Sequence, residues 1–318
     1  MNADRVGLGL AALGRPAYIT SGRSSDLGTG RSVDDLRERT HAVLDAAYAA
    51  GVRYLDAARS YGRAEEFLAG WLAAHPEIDD VEVGSKWGYR YVGEWRLDAD
   101  VHERKEHSVR AFHEQRAATA ATLGDRLGIY YVHSVTPESA ALTDPALHRA
   151  LADLRRTGVR VGASTSGPHQ AEVVRRVLDI TVDGTPLFTA VQCTWNLLEP
   201  SVGPALADAA AAGTLVVVKE AVANGRLAPG GGDAAPAVKA VTAAAEQLGV
   251  PVDQLAIAAA LAQPWAWRVL SGAVTVEQVR SNVAAARHQL PVDVLQDLLA
   301  DAEDADDYWA ARARRTWA

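Results

Sequence analysis

A strand-then-helix alternation repeats eight times along this chain, and few architectures can absorb such a repeat. The strand-like runs are short and apolar: Val6 to Gly14, Val52 to Leu55, Val81 to Lys86, Leu127 to Val132, Val159 to Ala163, Phe188 to Val191, Leu215 to Val218 and Arg268 to Leu270. Between them lie stretches, many of them alanine-rich, whose apolar residues recur at helical spacing, as do Leu36, Val43, Leu44 and Ala47 within Asp34 to Ala50. Helices are also expected from Ala64 past Trp71 and over Ser108 to Leu123, Pro145 to Arg156, Pro168 to Leu178, Pro236 to Leu248, Asp253 to Leu261, Val276 to Ala286 and Leu295 to Ala313. Strands that alternate with helices in this way pack as a parallel sheet, and eight such units predict an α/β fold, the (β/α)8 TIM barrel. No linker or composition break divides the 318 residues, so 1–318 reads as one barrel domain, with long loops at about 20–32 and 87–107 and a C-terminal helix.

Parallel closure gathers the C-terminal ends of all strands on one rim. The residues finishing these runs are Asp56, Lys86, His133, Ser164, Gln192, Lys219 and Ser271, with Gly272 beside the last. One polar residue after an apolar strand is ordinarily a satisfied structural group; the recurrence marks a site. Tyr61 follows Asp56 on the connecting loop. A phenol ordinarily titrates near ~10 and is a weak acid and a poor base at neutral pH. A neighbouring ammonium, Lys86, stabilises the phenolate, and Asp56 keeps that lysine charged. His133 completes the set by donating a hydrogen bond to a carbonyl oxygen or sharing the proton of Tyr61. Such groups could polarise a carbonyl and protonate its oxygen as hydride arrives, and the hydride has to come from a cofactor, since no side chain supplies one.

The excursion from Trp87 to His107 carries Trp87, Tyr89, Tyr91 and Trp95 with neither a helical nor an alternating period. It reads as a substrate-facing wall, with Trp195 and Trp317 joining Trp87, Tyr89 and Trp95 at the pocket. A net charge of −8, from 32 basic and 40 acidic residues without a basic stripe, gives no reason to expect nucleic acid. No apolar run approaches bilayer length and no signal-peptide core is visible, so no membrane and a cytoplasmic location are expected. The one cysteine, Cys193, allows no intrachain disulfide. No residue is assigned to a metal, and the chain is expected to be a monomer or small homo-oligomer.

Asp56-Ala57-Ala58 with Tyr61-Gly62 and Glu65 resembles the first signature of the aldo-keto reductases. Asp56, Tyr61, Lys86 and His133 fall in the order of that family's catalytic tetrad. The resemblance implies that Ser164 and Gln192 hold the nicotinamide carboxamide, and that Val274 to Asn282 is the adenosine-phosphate segment after strand eight, with Asn282 at the adenine. Two positions depart from the pattern: Thr165 stands where asparagine is common, and Lys219 where an aromatic usually stacks on the nicotinamide. Val274 and Gln278 leave no clear basic residue for a 2′-phosphate, although Arg280 is near. NADPH is the first cofactor expected and NADH the alternative, with a small aldehyde, ketone or sugar-like carbonyl as substrate. Two other functions fit a barrel of this kind. One is a nucleotide-binding partner protein resembling the channel-associated β subunits; the other is an aldolase-like Schiff base on Lys86 or Lys219, which Asp56 disfavours by keeping Lys86 protonated.

Overall fold

The computed structural model describes residues 3–18, 26, 30–315 and 317, so most of the loop expected at 20–32 lies outside the described residues. Eight strands form the centre: β1 (Val6–Gly9), β2 (Tyr54–Asp56), β3 (Glu82–Trp87), β4 (Leu127–Val135), β5 (Arg160–Thr165), β6 (Ala190–Thr194), β7 (Leu215–Lys219) and β8 (Arg268–Ser271). They close into a barrel in sequence order, β8 pairing with β1, and every neighbouring pair is parallel. The first strand is shorter than its apolar run. Leu13 and Gly14 donate back to Leu10 O, which turns the chain out of the sheet after Gly9.

The surrounding helices are α1 (Val33–Ala49), α2 (Ala64–Ala74), α3 (Val109–Leu123), α4 (Pro145–Arg156), α5 (Gln170–Leu178), α6 (Gly203–Ala211), α7 (Pro236–Leu248), α8 (Val252–Leu261) and α9 (Val276–Ala284). Their starts follow local chemistry: Ser32 and Asp35 form a reciprocal capping box on α1, and Asp144 caps α4 ahead of Pro145. The single terminal helix expected over Leu295 to Ala313 is instead two, α10 (Val292–Ala300) and α11 (Ala305–Ala313). Asp304 divides them by accepting from the backbone of Asp306 and Asp307, while Glu303 N donates to Leu198 O. Within 87–107 the chain makes an antiparallel hairpin, Tyr89–Tyr91 against Glu103–Lys105. Among the described residues no helix is long and apolar enough to cross a membrane.

Strand alternation sorts the core into two parts. One face points to the helices, where Val83, Val132, Val161, Val191, Val216 and Val269 join the main apolar cluster. The other faces the barrel axis, where Tyr54, Ile129, Tyr131, Ala190, Val217 and Leu270 pack together. The hydroxyls of Tyr54 and Tyr131 meet at 3.1 Å. This plug fixes what lies above it. Two residues beyond Tyr54, Gly84, Tyr131, Gly162, Ala190 and Val217 come Asp56, Lys86, His133, Ser164, Gln192 and Lys219.

Candidate active site

The inward residues of the upper layer make direct contacts. Lys86 Nζ donates to Asp56 Oδ2 and, at 3.0 Å, to Ala57 O. Gln192 Nε2 donates to Asp56 Oδ1 at 2.8 Å, across the barrel. All three residues are at most 2% exposed, so the Lys86–Asp56 pair sits in a low-dielectric interior with a hydrogen bond on each carboxylate oxygen.

Tyr61 reaches this layer from a loop rather than a strand. Gly14 and Gly62 bring the two loops together, with Arg63 N donating to Gly14 O at 2.7 Å. A Cβ on Gly14 would overlap the Tyr61 carbonyl, and one on Gly62, at φ 59°, would overlap the Gly14 carbonyl. Held this way, the Tyr61 ring has Lys86 Nζ 4.8 Å from its centroid and the His133 ring edge-on at 5.5 Å. Burial, followed by the Asp56 carboxylate, pushes the phenol well above its ordinary value, and Arg15 opposes them. Burial thus works against the lowering expected from the Lys86 ammonium and favours the protonated phenol.

His133 sits on an irregularity. The β4–β5 register shifts between Val132 and Val135, and Ser134 adopts φ 52°. Ser164 Oγ accepts from Ser134 N at 2.8 Å, and His107 Nε2 donates to His133 O at 2.8 Å. Ser164 thus holds the bend that presents the imidazole. Burial and then the charges of Lys86 and Lys219 keep the His133 pKa well below its ordinary value, so the ring is neutral. Its Nδ1 lies 3.4 Å from Ser60 Oγ.

The remaining expected residues divide by parity. Lys219 points inward but is tied sideways, donating to Thr194 Oγ1 at 2.7 Å and lying 3.9 Å from Glu220. Glu220 in turn pairs with Arg312 of α11 and is lowered to about 2, its neighbouring cations outweighing burial. Thr165, one residue past Ser164, faces the helices and donates to Gln170 of α5 at 2.9 Å. Ser271 also faces outward, donating to Asn282 Oδ1 at 2.7 Å, while Asn282 Nδ2 donates to Asp253 at 2.8 Å. Gly272 is exposed. Gln278 binds Val274 N through its oxygen and Asp26 Oδ2 through its amide, at 2.8 Å each.

The expected aromatic wall is mostly elsewhere. Trp87 follows inward Lys86, so it turns out of the barrel and packs fully buried against Phe112 at 5.1 Å. Trp195 is buried against Trp265, and Trp95 packs on Phe67 of α2 while donating to Arg31 O. Tyr89 does reach the site, its ring 5.1 Å from His133. With His102, Glu103 and Trp317 it lines a cavity of about 490 Å³. Trp317 stacks on His102 at 4.4 Å and on the Arg15 guanidinium at 4.6 Å. Arg15 escaped sequence reasoning because it stands in a turn, outside the strand-end pattern. Its place just after Gly14 is the only signal it carries.

The aldo/keto reductase family model matches residues 6–300 of the chain. Aldo-keto reductase str7 of Strobilurus tenacellus is 34% identical over 98 residues, which is 30% of this chain and 26% of that protein, so the chain aligns with about a quarter of that relative's length. The holo form of an aldo-keto reductase from Bacillus halodurans superposes with a TM-score of 0.67 at 19% identity, over 95% of this chain and 93% of that one. At that identity the likeness shows a common fold.

Proposed function

The chain belongs to the aldo/keto reductase family, and from that premise we propose that it reduces the carbonyl of an aldehyde, ketone or sugar-like substrate, with Tyr61 as proton donor. The observation that carries this reading is the buried phenol of Tyr61 set beside both Lys86 and the neutral imidazole of His133. A bound reduced nicotinamide would supply the hydride. Tyr61 gives its proton to the carbonyl oxygen, and His133 donates a hydrogen bond to the same oxygen and orients it. Lys86 steadies the phenolate that results, and Asp56 opposes the burial that lowers the Lys86 pKa.

The residues of the mouth fit a nicotinamide carboxamide. Gln192 Oε1 is a buried acceptor with no partner among the described residues, and a carboxamide N–H answers that need. Ser164 still has its hydroxyl proton to give. Lys219 offers its methylene stem as a wall, and Ser271 and Asp253 orient Asn282 for an adenine. Gly272 leaves open backbone near that segment, while Thr165 acts through Gln170. Gln278 donates to Asp26, a carboxylate that would repel a 2′-phosphate bound beside it, whereas the exposed Arg280 on α9 would attract one, so NADH and NADPH both stand as coenzymes.

Titration with NADH and NADPH by intrinsic fluorescence, followed by coenzyme oxidation across a panel of carbonyls, tests the reading. Tyr61→Phe should keep coenzyme binding and lose about 10²–10⁴-fold in turnover. Coenzyme binding without turnover of any carbonyl, or turnover indifferent to Tyr61→Phe, would favour a nucleotide-binding partner protein instead.

A further inference from the structure

Arg15 is 1% exposed, as deeply buried as Lys86. Its guanidinium gathers groups from separate parts of the chain. Nη1 donates to Ser60 O at 3.0 Å, next to Tyr61, and to Glu103 Oε1 of the hairpin at 2.8 Å, while Nε donates to Ala11 O at 3.2 Å. Its Cζ lies 5.1 Å from the Tyr61 ring centroid, 5.0 Å from that of Tyr18 and 4.6 Å from that of Trp317. Among the described residues Tyr61 therefore has two cations against its ring, Lys86 at 4.8 Å and Arg15 at 5.1 Å. Filling space does not require a guanidinium, since an apolar side chain of similar length avoids the desolvation cost.

We propose that Arg15 is a positioning residue for the Tyr61 phenol: it holds the loop and ring beside His133 and stabilises the phenolate, with Glu103 of the hairpin tempering its charge. The inference rests on the reading of Tyr61 as proton donor. The groups facing that phenol are Asp56, Lys86 and His133 from the strands, Tyr18 and Arg15 from the segment after β1, and Glu103 from the hairpin. Asp56, Tyr18 and Glu103 add to burial in keeping the proton on the phenol, and Arg15 works against them. Burial, Asp56, Tyr18 and Glu103 likewise disfavour the phenolate once the proton has left, and the two cations offset part of that cost.

The test uses the full chain labelled with 3-fluorotyrosine, followed by fluorine NMR, with Tyr61→Phe assigning the resonance. Arg15→Met should raise the pH at which Tyr61 titrates by about one pH unit, a tenfold change in proton affinity, and Arg15→Lys by less than half as much. Where the enzyme turns over, the pH profile of kcat for alcohol oxidation, which needs the phenolate, should move the same way. Superposable titrations of wild type and Arg15→Met overturn the proposal. If Arg15→Met does not fold, Glu103→Gln decides. Arg15 keeps its bonds to Ser60 and Ala11, so loss of the carboxylate should lower the titration; an unchanged or raised one overturns the proposal. A protein that reduces no carbonyl yet shows these shifts defeats the reductase reading while leaving the hold of Arg15 on the phenol intact.

Discussion

Asp56 takes a hydrogen bond from Lys86 on one oxygen and from Gln192 on the other, all of it buried, so neither charge of the pair tolerates losing its partner. Asp56→Asn or Lys86→Met alone should each cost about 3–5 kcal/mol, because each leaves one uncompensated buried charge. The double variant should cost clearly less than the sum of the two, since no lone charge remains. Urea unfolding of the four proteins measures this, and additive costs would show that the contact is not a coupled pair. The pair was legible in the sequence because each of its members closes an apolar run on the inward face. Thr165, Ser271 and Trp87, also expected at the site, turn toward the helices instead. Each stands on the opposite parity, and one step along a strand turns a side chain from the axis to the helices. Arg15 follows no such alternation, so nothing in its neighbours' spacing discloses that it lies against Tyr61.

At the scale of elements, two joints carry the geometry of the site. The bend after β4 depends on Ser164, so Ser164→Ala should leave the Ser134 N–H unpaired, costing about 1–3 kcal/mol, and should lower turnover by letting His133 drift. Ser134→Gly, which accepts φ 52° without strain, should leave stability nearly unchanged. Comparing unfolding midpoints and kcat for the two variants checks the point, and equal effects would contradict it. The other joint is the approach of Gly14 to the Tyr61 loop. Gly14→Ala should cost about 1–3 kcal/mol by overpacking and reduce turnover beyond what that loss explains, because the displaced group is the backbone of Tyr61. Folded, stable Gly14→Ala protein with unimpaired kcat would refute it. The strand and helix repeat was plain from periodicity alone, whereas these joints depend on contacts between segments distant in sequence. The break between α10 and α11 was hidden by the acidic run around it, in which one aspartate, Asp304, serves as a cap.

For the whole molecule, the buried ionisable groups set how stability depends on pH. Burial holds His107 at about 4, from an ordinary 6.5, and keeps His133 well below 6.5 as well. Both are neutral in the folded chain and take up protons in the unfolded one, so the unfolded state binds more protons as pH falls through 6.5, and stability falls with it. For His107 the gap corresponds to roughly 3 kcal/mol, lost between about pH 6.5 and 4. Glu220, lowered from 4.5 to about 2, contributes stability that is present above 4.5 and lost as pH falls toward 2, so its loss begins where that of His107 is nearly complete. Urea midpoints should therefore begin to fall well before the carboxylates titrate, from about pH 6.5 downward. In His107→Gln this early part of the decline should flatten, even though the variant is less stable at neutrality for want of its bonds to His133 O and Ser139. Midpoints that hold level down to about pH 5 would mean that the imidazoles are protonated within the fold, and a cationic His133 would then be the hydrogen-bond donor that meets a substrate carbonyl.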